Sequence, residues 1–319
     1  MSQLLIEPSP HIRCTLTTQK VMLNVLIALL PAVIAGTWLF GLRALVLVVL
    51  CATFCVLSEW LFNKITKRKQ TISDLSAVVT GVLLGLNLPP SLPIYMAAIG
   101  CFAAIVVVKQ FFGGIGQNFA NPAITARIVL MLSFGRYMTT WSAPIVGSLT
   151  SPDAVSSATP LAAPDVMPSY LDMFLGIRAG CIGETCIAAL LLGGLYLIVR
   201  GLIDPVTPVA FIGTVALCAL VGGHDVPMQL MSGGLVLGAF FMATDYSTTP
   251  LTRRGKLIFG VGCGLITSAI RFFGVYPEGV SFSILIMNII TPLIDRYVRP
   301  QPFGAKVKKT PRKNREAVQ

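Results

Sequence analysis

The sequence predicts an all-α protein that crosses a membrane many times, because its charged residues are few and its apolar runs are long. Of 319 residues, 55% are hydrophobic and only 12% are charged, and the mean hydropathy is +0.80. A soluble domain carries about twice that share of charges, so lipid must surround much of this surface. The runs are continuous rather than alternating, which indicates helices and not the strands of a membrane barrel.

Ten apolar stretches approach the roughly 20 residues that a membrane-spanning helix needs. They cover residues 21–40, 44–62, 75–88, 94–112, 121–138, 182–203, 206–221, 229–244, 257–273 and 280–298. The third stretch is short and ends at Pro89 and Pro90, as an interrupted helix would. We therefore predict ten spans joined by short connections and by one long loop, residues 139–180.

The distribution of lysine and arginine predicts which side each connection faces. With ten spans, the basic connections and the basic tail 299–319 all fall on one side of the membrane. These connections hold Lys64, Lys67, Arg68, Lys69, Lys109, Arg200, Arg253, Arg254 and Lys256. The positive-inside rule then places both termini in the cytoplasm and the loop 139–180 outside. The net charge of +11 is thus assigned to orientation, and no nucleic-acid partner is expected.

The first segment, residues 1–20, is predicted to be cytoplasmic. It lacks a basic region followed by an apolar run, so it is not expected to be a cleavable signal peptide.

A faint internal repeat divides the ten spans into two sets of five. The spacing of Gly81 and Gly85 in the third span recurs as Gly234 and Gly238 in the eighth, and Phe-Phe-Gly closes both the fourth and the ninth. Five is odd, so the second set, 181–298, would be inverted relative to the first set, 21–138. Inverted repeats typically place a site at their interface, near interrupted helices. The alternative is that glycines four residues apart only let helices approach closely.

Charged residues inside or at the ends of the spans are the next candidates, because such charges are costly in lipid. Arg127 lies within the fifth span, and we expect it to pair with a carboxylate, a flavin group or helix-end carbonyls. Residues near span ends can instead extend their charged groups to water, which is the general expectation for Glu59, Glu184, Asp245, Arg271 and Asp295. Glu184 and Asp245 are also candidates for an ion pathway.

The loop 113–122 is rich in glycine but fits neither common phosphate-binding pattern. No Gly-Lys-Ser/Thr follows it, and no strand precedes it. The amides of Asn118 and Asn121 could hydrogen-bond a polar ring such as that of a flavin. In the alternative interpretation, Asn121 only caps a helix that Pro122 opens.

The long loop contains Asp153, Ser156, Ala158 and Thr159. By composition alone it is a polar loop with several hydroxyls, and no neighbouring His or Lys would activate a serine as a nucleophile. The spacing resembles the site at which a flavin transferase joins FMN to a threonine through a phosphoester. The usual motif has glycine at the position of Ser157, so the match departs by one small residue.

The regions 113–127, 241–260 and 276–295 strengthen this resemblance. They are similar to the family that contains the D subunit of the Rnf electron-transport complex and, more distantly, the B subunit of the sodium-pumping NADH:quinone reductase. The similarity runs over nearly the whole chain and keeps the flavin motif in the loop before the sixth span.

The resemblance implies a flavin-carrying subunit of a complex in the cell inner membrane. Such a complex passes electrons between ferredoxin and NAD and couples this to movement of Na⁺ or H⁺. FMN would be attached to Thr159, with Asp153, Ser156 and Ala158 recognised by the flavin transferase. A second, non-covalent flavin, expected to be riboflavin, would lie within the helices. The implied fold is the inverted five-helix repeat of urea channels.

The same resemblance implies that the A, B, C, E and G subunits of the complex are partners. Eight cysteines are present, but none forms Cys-x-x-Cys, and no nicotinamide-binding fingerprint occurs. Such a chain cannot be the entry or exit point for electrons, so partner subunits would hold those sites. No metal site is predicted. The competing hypothesis is a permease or channel whose inverted repeat lines a substrate path.

Overall fold

The computed structural model describes residues 17–144, 156–157, 169–274 and 279–298. The first half contains α1 (Thr18–Phe40), α2 (Leu42–Ile65), a 3₁₀ turn (Ile72–Asp74), α3 (Ser76–Leu86), α4 (Ile94–Phe102) running into a π-helix (Ala103–Gln110), α5 (Pro122–Ser133) and α6 (Gly135–Met138). Two short strands, β1 (Trp141–Ser142) and β2 (Ser156–Ser157), pair antiparallel.

The second half is also helical. It contains α7 (Tyr170–Leu175), α8 (Ile187–Val199), α9 (Val206–Val221), α10 (Val226–Met231), α11 (Leu235–Leu237) running into a second π-helix (Gly238–Met242), α12 (Arg253–Phe273) and α13 (Val280–Tyr297).

Four helices are long and apolar enough to cross a membrane by length and composition: α1, α2, α12 and α13. Shorter apolar helices lie between them. Many large apolar side chains point outward along these helices, including Ile34, Trp38 and Leu132, each at least 64% exposed. An outer surface of this kind suits lipid rather than water. The prediction of a polytopic all-α membrane protein is confirmed, and each of the ten predicted stretches contains a helix.

The eighth and the sixth predicted stretches are not helical along their whole length. The eighth stretch, 229–244, is broken, because Ser232 is extended and Gly233 and Gly234 adopt positive φ angles of 63° and 66°. The sixth stretch was expected to be helical from residue 182, but α8 begins only at Ile187. The residues before α8 form an irregular segment, 177–186, of which residues 178–185 are buried, and two of its N–H groups bond to the end of α3.

Small residues set the packing of the first half. α3 packs against α2, and α2 also contacts α4. A Cβ atom added to Gly81 would lie 2.5 Å from the Ala52 Cα, and one added to Gly85 would lie 2.9 Å from the Val48 Cα. The two backbones are therefore in direct contact, as expected for glycines four residues apart. In the second half α9 packs against α12, and α1 packs against α8 across the two halves.

Candidate functional site

The short helix α3 ends inside the protein, and another segment satisfies its last carbonyls. The carbonyl of Leu86 accepts a hydrogen bond from the Gly183 N–H at 2.8 Å, and that of Leu88 accepts from the Ile182 N–H at 3.2 Å. Helix ends leave such carbonyls without intrahelical partners, and in a membrane each one must find a partner within the protein. The segment 177–186 supplies these donors, which explains why it is not helical.

The first buried ion pair lies beside this helix end. Arg127 of α5 forms a salt bridge with Glu184, and both side chains are 3% exposed. Arg127 Nη1 also donates to the Asn87 Oδ1 at 2.8 Å, and Arg178 Nη2 donates to the Glu184 backbone carbonyl at 2.7 Å. Arg127 therefore has a carboxylate partner, and Glu184 does not extend to water.

The same site explains one glycine of the broken eighth stretch. A Cβ atom added to Gly234 would lie 2.6 Å from the Glu184 carboxylate carbon. The positive φ of Gly234 and this close approach both require glycine. The end of α3, the segment 177–186 and the start of α11 thus meet around one ion pair.

The second buried ion pair joins α2 to the first π-helix. Lys109 Nζ lies 2.9 Å from the Glu59 Oε2, and the two side chains are 4% and 0% exposed. Lys109 also donates to the Ser76 Oγ at 2.6 Å, and Thr71 Oγ1 donates to the other oxygen of Glu59. Two predictions are therefore wrong: Lys109 does not lie in a basic loop, and Glu59 does not extend to water. Each buries its charge because the other is within reach.

A pocket opens beside Lys109, where α1, α3 and α5 begin and α8 ends. Its cavity volume is about 90 Å³, which is smaller than the roughly 300–1,000 Å³ of typical small-molecule sites. Both π-helices border it, the first through Lys109 and the second through Phe240 and Phe241. π-Helical turns are rare and often occur at functional sites. The other lining residues include Ser76, Thr80, Leu83, Ile115, Asn118, Asn121, Leu197, Thr244, Asp245 and Ser247.

The structure brings Asn118 and Asn121 together in this pocket and separates them from Arg127, which is not among its lining residues. Asn121 is the N-cap of α5, since its Oδ1 accepts from the N–H groups of Ala123 and Ile124. The Asn118 amide donates to the Ser247 hydroxyl at 3.2 Å. The pocket combines apolar walls with a few polar groups, as ligand sites do, but at about 90 Å³ it is too small for a flavin ring in this structure.

Asp245 lies in the connection between the second π-helix and α12. Its Oδ2 accepts from Ser247 and Thr248 at 3.1 and 3.2 Å. Burial raises the pKa of this carboxyl group, while the hydroxyl hydrogen bonds act in the opposite direction. Asp245 also lines a second cavity that contains Asp295. The two ion-pathway candidates are thus apart, Asp245 at the pocket and Glu184 at the end of α3.

Of the flavin-attachment motif, Asp153, Ala158 and Thr159 lie outside the described residues. Ser156 belongs to β2, whose partner strand β1 contains the buried Trp141. Trp141 packs with Ala179 and Cys181, and Cys181 lies 3.6 Å from an Arg127 nitrogen. The strand pair that contains Ser156 therefore lies on the side of Arg127 and is not among the elements that line the pocket.

Sequence reasoning missed the roles of Lys109, Ser76, Asn87 and Arg178. Lys109 directly follows the apolar run 94–108, and no turn-forming residue separates it from that run. This continuity was the local indication that Lys109 lies in a helix. Asn87 gave a weaker one, since a polar residue stood inside an apolar stretch. The contact partners of Lys109, Ser76 and Asn87 lie 33 to 50 residues away along the chain, and no local pattern contains such pairings. Arg178 is the exception, since it donates to the Glu184 carbonyl six residues away.

The fold and the buried charges define a polytopic membrane protein with ionisable groups inside its helix bundle, as in proteins that move ions across membranes. The model of the NQR2, RnfD, RnfE family matches residues 5–304, and the chain belongs to this family. The expected family relationship is confirmed.

Three relatives, all D subunits of ion-translocating complexes, show the degree of similarity. The chain is 47% identical over 314 residues to the D subunit of the Na(+)-translocating ferredoxin:NAD(+) oxidoreductase complex of Acetobacterium woodii, covering 96% of this chain and 97% of that protein. It is 44% identical to the D subunit of the proton-translocating ferredoxin:NAD(+) oxidoreductase complex of Clostridium ljungdahlii, covering 94% and 96%. It is 36% identical to the D subunit of the ion-translocating oxidoreductase complex of Salmonella arizonae, covering 94% and 98%.

Proposed function

We propose that this chain is the flavin-carrying membrane subunit of an Rnf-type complex, which passes electrons between ferredoxin and NAD and translocates Na⁺ or H⁺. The observation that carries the proposal is full-length similarity, at 47% and 44% identity, to two D subunits named for this reaction. Those names differ in the ion, so activity should be measured against both Na⁺ concentration and pH.

FMN is proposed to be bound to Thr159 through a phosphoester after action of a flavin transferase. Asp153, Ser156 and Ala158 would be recognised by that enzyme. The pairing of β2 with β1 supports this role, because it holds the backbone of Ser156 and Ser157 beside Trp141 and Ser142. Flavin suits such a place because it connects one-electron and two-electron carriers.

A second, non-covalent flavin, riboflavin in this proposal, would lie beside Asn118 and Asn121, where the pocket would have to widen to admit it. The pocket lies at the start of α5, and the strand pair lies beyond the end of this helix. The twelve residues of α5 have a length of about 18 Å at 1.5 Å per residue. The two flavins would then lie toward opposite faces of the membrane. Arg127 and Glu184, which lie between them, are proposed to hold the bundle together there.

The proposed topology has ten spans in the cell inner membrane, with both termini in the cytoplasm and the flavin loop 139–180 in the periplasm. Residues 1–20 and 299–319 would be the cytoplasmic ends. Residues 21–138 and 181–298 would be inverted five-helix repeats of the urea-channel type. The short helix α3 and the broken pair α10 and α11 support this, since interrupted helices are typical of inverted-repeat transporters.

Asp245 is the proposed ion-pathway residue at the cytoplasmic end. It lines both the pocket and the cavity that contains Asp295, and carboxylate and hydroxyl oxygens are suitable ligands for hard cations. Glu184 is a weaker member of such a path, because Arg127 already neutralises it. Electron entry and exit would require the A, B, C, E and G subunits as partners.

The attachment test uses Thr159→Ala, with Thr150→Ala as a matched hydroxyl control in the same loop. Both are produced together with the flavin transferase and examined by in-gel fluorescence and peptide mass spectrometry. We expect the flavin mass on the Thr159 peptide of the control and its complete loss in Thr159→Ala. An unmodified Thr159 peptide in the wild-type chain would reject the assignment of covalent FMN to Thr159.

A further inference from the structure

An apolar groove lies on the outer surface of the helix bundle, between α1 and α2. Its volume is about 1020 Å³, at the upper end of the roughly 300–1,000 Å³ of small-molecule sites. The groove follows α1 from Leu23 to Val33, which is about 15 Å at 1.5 Å per residue. This length is about half of the roughly 30 Å hydrocarbon core of a bilayer, so the groove has the depth of one leaflet.

One end of the groove carries positive charge. Trp60 of α2 and Ile72 of the 3₁₀ turn line this end, and the Lys64 ammonium lies 4.7 Å from the centre of the Trp60 ring. Further basic residues follow in the connection to the 3₁₀ turn: Lys67, Arg68 and Lys69. In the described part of the chain Lys64 forms no salt bridge, and the neighbouring Glu59 is already in one. Asp74 accepts two hydrogen bonds at the start of α3, so an excess of positive charge remains for an anion.

We propose that this groove binds an anionic phospholipid, whose acyl chains lie along α1 and α2 and whose phosphate contacts Lys64 and the basic residues after it. Indole rings such as that of Trp60 are enriched at the level of the lipid headgroups. Clusters of lysine and arginine beside membrane-spanning helices recognise anionic headgroups. The proposed orientation of the chain places this end of the groove in the cytoplasmic leaflet. Only the choice of leaflet rests on that orientation.

The walls of the groove favour acyl chains over a helix of a partner subunit. Membrane helices pack closely where small residues let their backbones approach. Among the described residues that line the groove none is glycine, and Gly81 and Gly85 are directed into the contact between α3 and α2. The wall consists mainly of branched side chains, which a flexible acyl chain can follow more easily than a rigid helix. The Thr53 hydroxyl in this wall donates to the Leu50 carbonyl of its own helix at 2.9 Å, so it offers no donor to a polar ligand.

The test compares how the full-length chain retains phosphatidylglycerol and phosphatidylcholine, measured by native mass spectrometry in detergent at equal lipid concentrations. Lys64→Gln removes the charge beside Trp60, and Thr53→Phe fills the groove from an exposed position. We expect the wild-type chain to retain one phosphatidylglycerol in preference to phosphatidylcholine. Lys64→Gln should weaken phosphatidylglycerol binding about fivefold, as expected for one basic residue near an anionic membrane surface, and leave phosphatidylcholine binding unchanged. Thr53→Phe should weaken the binding of both lipids.

Two matched controls lie outside the groove. Arg254→Gln removes an exposed charge at the start of α12, and Val46→Phe adds the same ring at an exposed position of α2; neither should change the retention of either lipid. Equal retention of the two lipids by the wild-type chain, or retention that survives both Lys64→Gln and Thr53→Phe, overturns the proposal.

A photoreactive side chain in place of Thr53 gives a second test, in membranes that contain the native complex. Cross-linking to lipid is expected, because Thr53 lines the groove. Cross-linking to another subunit would overturn the proposal, since a partner's helix would then fill the groove. These outcomes depend on neither a flavin nor electron transfer, so they are separable from the attachment test.

Discussion

The two buried ion pairs differ in what surrounds them. Arg127 and Glu184, the sealed pair, are enclosed where α3 ends, with Asn87, Arg178 and Gly234 around them. Glu59 and Lys109, the open pair, are equally buried, but Lys109 faces an open pocket and Thr71 at the other side of Glu59 is exposed. The sealed pair closes a junction between interrupted helices, whereas the open pair contributes Lys109 to the wall of a pocket.

This difference predicts different costs when one partner is lost. An arginine stays protonated in proteins, so a lone Arg127 would remain a charge enclosed by protein. A lone Lys109 could be hydrated from the pocket. Burial alone therefore does not indicate how strongly each pair stabilises the fold.

The largest expected effect is that of Glu184→Gln. Removing one partner of a buried pair typically costs about 3–5 kcal/mol, and we expect a loss of this order in the free energy of unfolding. Thermal unfolding in detergent, followed by fluorescence-detected gel filtration, measures it. Glu59→Gln is the matched variant and should lose clearly less. Equal losses in the two variants would show that enclosure does not distinguish the pairs.

Two glycines at close contacts give the next test, Gly234 beside the sealed pair and Gly81 between α3 and α2. Gly234 has a positive φ, and the Cβ added in Gly234→Ala would collide with the Glu184 carboxylate. The Cβ added in Gly81→Ala would force α3 away from α2. Both should destabilise by about 1–3 kcal/mol, as overpacking does. Gly213→Ala in α9 is the control, because nothing lies within 4 Å of its added Cβ, and it should be neutral or stabilising by up to about 1 kcal/mol. A destabilised control would indicate a general intolerance of helix substitution.

The sequence predicted the helices better than the contacts among them, and the reasons are physical. Apolar runs of 16 to 20 residues are local signals, so α1, α2, α9 and α13 lie within about three residues of where they were expected, and α12 begins four residues earlier than predicted. The segment 177–186 is apolar enough to resemble the start of a helix, but its N–H groups bond to the distant end of α3.

The site was predicted only in part, for a related reason. Asn118 and Asn121 were found from their loop, and the pocket places them together. Lys109 was assigned to a basic loop because its π-helix and its partner Glu59 leave no periodic signal. Tertiary hydrogen bonds decide such positions.

The third test concerns Asp245, which lines the same pocket as Lys109. The raised pKa of Asp245 means that protons compete for its carboxylate at a higher pH than at an ordinary aspartate. Cation affinity at this site should therefore weaken as pH falls through that raised value, and Asp245→Asn should remove the dependence and lower the affinity about tenfold or more. Ion-dependent turnover of the complex between pH 5 and pH 8 measures it. The control is Asp204→Asn, in which a partly exposed pair with Lys256 is lost; a matching pH response there would exclude Asp245 as the cause.

The smallest expected effect is that of Thr71→Val, which removes one hydroxyl from the open pair while keeping the shape of the side chain. Thr71 is exposed, so water can replace its hydrogen bond to Glu59, and the loss in unfolding free energy should stay below about 1 kcal/mol. Asn87→Leu removes the corresponding polar contact from the sealed pair, where Asn87 is 1% exposed and accepts from Arg127. A charged donor left without its acceptor in that enclosed site should cost about 1.5–3 kcal/mol. Parallel unfolding curves of the two variants give the difference directly, and an equal or larger loss in Thr71→Val would mean that water does not reach Glu59 and that both pairs are sealed.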